Sequence, residues 1–88
     1  MFFLINVHFY HVNNIKDIEY IKLFGESLRT KRLNKNLSQE SLAYASDIPI
    51  SQIGRIERGE INTTISTIKA IAKALEIPVK DLFDFDDI

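Results

Sequence analysis

Ser51, Gln52, Arg55 and Arg58 crowd into one short segment, "ISQIGRIERG". Serine and glutamine side chains both donate and accept hydrogen bonds, and a guanidinium offers a planar fork that meets two acceptors at once. These groups match the edges of bases and the oxygens of phosphates. Arg55 has the shape for guanine O6 and N7, a contact that discriminates by about 1–3 kcal/mol. Gln52 suits adenine or a phosphate, and Ser51 suits either. Ile50 beside them offers only apolar contact, for example to a thymine methyl. Were the segment to read DNA, direct readout would be thin and DNA shape would carry part of the discrimination.

Such side chains discriminate only if a rigid element presents them in register. Ile53 and Ile56 alternate with them at helical spacing and face inward, so the segment reads as a helix over about residues 49–58. Pro49 suits its first turn, and Gly59 stands where a left-handed closing residue is wanted. Before it, Ser38 is a good N-cap for a helix whose inward residues are Leu42, Ala43 and Ala45. Only Asp47-Ile48-Pro49 separates the two. Two short helices joined by so tight a turn, the second showing polar residues from its N-terminal end, have the geometry of a helix-turn-helix.

The flanks supply the support. From about Lys16, Tyr20, Leu23, Phe24, Leu28 and Leu33 form one side of a first helix, which the poor helix formers Asn34 to Asn36 end. Thr63 or Thr64 caps a fourth helix, in which Ile65, Ile68, Ile71, Ala72 and Leu75 recur and which Pro78 stops. "VKDLFDF" reads as a short fifth helix. Residues 1–15 differ in composition: Ile5, Val7 and Phe9 alternate with Asn6, His8 and Tyr10, the pattern of a short strand or extended arm. That arm extends the core, joins a dimer interface or exchanges between protomers, and its residues leave these alternatives open. So does the question of whether Met1 is the natural start.

"LSQESLA", "ISQIGRIERG" and "STIKAIAKALEIPVKDLF" together resemble the lambda-repressor/Cro-type helix-turn-helix proteins of bacteria and phages, over roughly Tyr20 to Phe85. The resemblance implies an all-α, five-helix domain over residues 16–88, preceded by the arm. It implies base contact from the recognition-helix positions Ile50, Ser51, Gln52 and Arg55. Backbone contact would come from Ser38, Gln39, Arg58, Asn62 and Thr63. It maps a buried ion pair between helices one and three onto Arg32 and Glu57. Ile50 departs from the polar or basic residue that many relatives carry there. The function implied is sequence-specific transcriptional regulation by a homodimer on a palindromic operator of double-stranded DNA, in the cytoplasm or on the nucleoid. The alternatives are an antitoxin that also holds a toxin, and an interaction module that has lost DNA binding.

Composition fits this expectation once charge is resolved along the chain. The 88 residues carry a net charge of −1. Between Tyr20 and Leu75, however, nine basic residues face five acidic ones, whereas the tail from Glu76 has five acids against Lys80 alone. A basic working face beside an acidic rear is therefore available. The chain has no cysteine, which removes disulfides and thiolate metal sites. His8 and His11 lack further ligands at metal-binding geometry, and "DLFDFDD" lacks the glycine and glutamate of a calcium loop. No cofactor or metal is expected. No nucleophile–base arrangement or Gly-rich phosphate loop is present, so the chain does not read as an enzyme. The apolar start is too short for a membrane span, and no basic region precedes it.

Overall fold

The computed structural model describes residues 16–86. Among them are four α-helices and one 3-10 helix: α1 Ile18–Asn34, α2 Gln39–Ser46, α3 Ile50–Glu57, α4 Ile65–Leu75, and a 3-10 turn at Val79–Phe83. The expected arm and strand of residues 1–15, with His8 and His11, lie outside the described residues. So does the end of the domain beyond residue 86.

Local chemistry sets the helix starts. Asp17, Ser38 and Thr64 sit in extended conformation and accept from the backbone N–H three residues on, which satisfies one orphan donor each for α1, α2 and α4. The ends are set by left-handed residues. Asp47 at φ 58° closes α2, Glu76 at φ 59° closes α4, and Gly59 at φ 73° turns the chain after α3. Glu76, not Pro78, therefore terminates α4, and Pro78 instead caps the 3-10 turn.

The expected fifth α-helix is this 3-10 turn. Asp81 N donates to Pro78 O and Asp84 N to Asp81 O, three residues apart in each case. After Pro78 these backbone N–H groups bond carbonyls three residues back rather than four, which closes the segment as a 3-10 turn. The tighter turn still buries Leu82 completely and sets Phe83 4.9 Å from Phe24, centroid to centroid. Phe85 meets Tyr20 edge-on at 5.2 Å, so aromatic rings fasten the C-terminal segment onto α1.

Leu28, Leu42, Ile53, Ile56, Ile71, Leu75 and Leu82 form the fully buried centre, with every helix contributing. Three residues expected in that interior are not there. Ile65, the first residue of α4, is 85% exposed; Leu33 in the last turn of α1 and Ala45 in α2 are exposed as well. In α2 the buried place falls to Ser46, whose hydroxyl donates back to Leu42 O at 2.7 Å and so needs no water. Helices α1 and α3 approach closely at Gly25. A Cβ there would lie 2.6 Å from Glu57 O and closer still to Ile56 O, so only glycine permits this crossing.

Candidate nucleic-acid interface

Helices α2 and α3 have eight residues each, too short to persist alone in water. Their mutual placement depends on a buried polar network as well as on Leu42, Ile53 and Ile56. Arg32 Nε donates to Glu57 Oε2 at 2.6 Å and its Nη2 donates to Oε1 at 3.0 Å. Arg32 Nη1 donates to Leu37 O at 2.8 Å, and Gln39 Nε2 donates to Glu57 Oε1 at 3.0 Å. One carboxylate thus joins α1, the entry to α2 and the end of α3. Arg32 is held above the ordinary arginine range, first by that hydrogen bond and further by the charge of Glu57, with burial opposing. A paired buried charge of this kind specifies geometry more than it adds net stability.

On the scaffold so fixed, α3 turns Ile50, Ser51 and Arg55 outward, with Gln52 partly covered. Ile50 is 46% exposed, an unusual position for an isoleucine. No side chain caps the N-terminus of α3, where Pro49 is the capping residue. The helix lies at Ile50–Glu57, so Pro49 precedes it and Arg58 follows it.

The residues assigned to backbone contact fall in two places. Gln39 and Arg58 line one polar groove together with Arg29, Arg32 and Glu57. Gly54 lies beneath two of these side chains: a Cβ there would stand 3.0 Å from Arg58 Nη1 and 3.5 Å from Gln39 Oε1. Arg29 joins this groove from α1, and in the sequence it is simply one of the basic run Arg29, Lys31, Arg32 and Lys35. Ser38 is exposed, but its oxygen already accepts from Ser41 N at 3.0 Å. Asn62 and Thr63 lie apart in the loop before α4. Asn62 is exposed, whereas Thr63 Oγ1 is enclosed without a hydrogen-bond partner beside Phe24, Ile68 and Phe83. The Thr63 hydroxyl is therefore turned away from solvent.

Sequence reading missed the pairing of Glu60. Its carboxylate accepts from Arg58 Nε at 2.8 Å and from Nη2 at 3.4 Å, and lies 3.7 Å from Arg55 Nε. The turn at Gly59 brings it there, and Glu60 N donates to Arg55 O at 2.9 Å. The signal was present in "RIERGE": a glycine after the last helical residue folds the next side chain back over the helix end.

A family model described as helix-turn-helix matches residues 28–82. Control protein C.BamHI of Bacillus amyloliquefaciens is 46% identical over 67 residues, covering 75% of this chain and 83% of that protein. Control protein C.SmaI of Serratia marcescens is 43% identical over 61 residues, covering 69% and 73% respectively. The crystal structure of the restriction-modification controller protein C.AhdI from Aeromonas hydrophila superposes with a TM-score of 0.71 at 41% identity, over 72% of this chain and 96% of that one.

Proposed function

The chain belongs to the helix-turn-helix family, and from that membership we propose that it is a DNA-binding transcriptional regulator that acts as a homodimer on a two-fold-symmetric operator. The observation that carries this reading is the outward row of Ile50, Ser51, Gln52 and Arg55 on a helix held rigid by the Arg32–Glu57–Gln39 network. Arg55 and Gln52 donate to base edges, Ile50 packs on a thymine methyl, and Gln39, Arg58 and Asn62 hold phosphates. Ser38 and Thr63 reach the backbone through their main chain, because the Ser38 hydroxyl is engaged with Ser41 and the Thr63 hydroxyl is turned away from solvent. One eight-residue helix reads only a few base pairs. Two copies about 34 Å apart read two half-sites on one face of the duplex.

The names of the relatives favour one circuit. Two are control proteins, and the solved neighbour is a restriction-modification controller. Regulation of a restriction–modification system is therefore the setting we assign.

A titration against salt tests the reading. Affinity for duplex DNA should fall steeply between about 50 and 200 mM salt, with a log–log slope reflecting several neutralised phosphates. Binding that ignores salt, or no binding to any duplex by folded protein, would contradict it.

A further inference from the structure

The face that would meet DNA carries an anion of its own. Glu60 closes on the Nε and Nη2 edge of Arg58 and stands within 3.7 Å of Arg55 Nε, while all three side chains remain about half exposed. Arg58 Nη1 points the other way, over Gly54 towards Gln39. One bidentate edge of Arg58, formed by Nε and Nη2, is thus already taken by a carboxylate. Consistent with that contact, the Glu60 carboxyl is held below the usual carboxylate range, first by the hydrogen bond from Arg58 and then by the charges of Arg58 and Arg55, with burial opposing.

We propose that Glu60 is a specificity-determining residue of the DNA interface, an internal counter-anion that a phosphate must displace from Arg58. The proposal rests on the DNA-binding reading above. Its selectivity follows from which edges of Arg55 are used. A bidentate contact to guanine made through the two terminal nitrogens of the Arg55 guanidinium leaves its Nε free, and this is the geometry the proposal requires. On the preferred site Arg55 engages a base, and Glu60, displaced from Arg58, passes to the Nε of Arg55 beside it. On random sequence Arg55 gains no base, so Glu60 is left among phosphates with no compensating partner. The carboxylate therefore penalises sequence-independent binding more than specific binding.

The test compares wild type, Glu60→Gln and Glu26→Gln on the preferred duplex and on a random-sequence duplex, each at several salt concentrations. Glu26 is exposed on α1, outside the polar groove, and controls for the mere loss of a negative charge. Glu60→Gln should tighten the random duplex by roughly 2- to 5-fold, the order expected of one close exposed charge pair. It should tighten the preferred duplex less and steepen the salt dependence by about one phosphate equivalent. Glu26→Gln should change neither ratio nor slope. Equal affinities for wild type and Glu60→Gln would overturn the proposal. So would a loss confined to the preferred duplex, which would make Glu60 a group that positions Arg55. If neither protein binds any duplex at low salt while both remain folded by circular dichroism, the DNA-binding reading itself fails, and this inference with it.

Discussion

Arg55 stands on the last turn of α3 with its guanidinium exposed and only a loose ionic neighbour in Glu60. A side chain in that state costs little to redirect, so its value lies in what it meets. Arg55→Ala should weaken the preferred duplex by roughly 10- to 100-fold while leaving random duplex within a few-fold of wild type. Equal losses on both would mean that Arg55 touches only phosphate. Residue types and spacing made this row legible, because Ser51, Gln52 and Arg55 fall opposite Ile53 and Ile56 at helical period. What spacing does not disclose is pairing between residues on opposite sides of a turn. Glu60 reads as the first residue of a loop, and its contacts exist only because Gly59 takes φ 73°. The same limit hid the fate of Thr63, whose hydroxyl turns inward at a position where it reads as an exposed loop residue.

At the scale of elements, rigidity rests on the carboxylate of Glu57. It accepts three hydrogen bonds, two from Arg32 and one from Gln39, and is almost fully buried. Glu57→Gln would leave the Arg32 guanidinium charged in the interior without a counter-ion, a change that costs about 3–5 kcal/mol. In a domain of this size that lowers the melting temperature by roughly 10 °C or more, measurable by circular dichroism. A melt within two or three degrees of wild type would show that water or neighbouring side chains replace the pair. The helices themselves were readable from caps and apolar periodicity: Ser38 caps α2 and a threonine caps α4. Their ends and margins were less so. Ile65 fits the α4 stripe by period but lies at the first position, beyond the reach of the core, and Ser46 is buried where Ala45 was expected. The segment after Pro78 carries the right apolar residues for a fifth helix, yet its backbone bonds close three residues apart and make the tighter 3-10 turn. Phe83 at its end and Phe85 beyond it still pack on α1, against Phe24 and Tyr20.

Across the whole molecule, the modest net charge conceals an uneven distribution. Arg29, Arg32, Arg58 and Gln39 share one groove beside α3, while the acids of the tail follow α4. Family membership, the groove and the exposed row on α3 support the proposed use, in which two copies of the chain would present two α3 helices to one face of a duplex. Among the described residues, no helix is long and apolar enough to cross a membrane. The measurement that bears most directly on this account is selection from a random duplex pool at about 0.1 M salt, since phosphate affinity depends strongly on ionic strength. The account predicts a two-fold-symmetric motif, its half-sites centred about one helical turn apart, bound by two copies of the chain. Recovery of no enriched sequence by folded protein, or of a single asymmetric half-site bound by one copy, would contradict it.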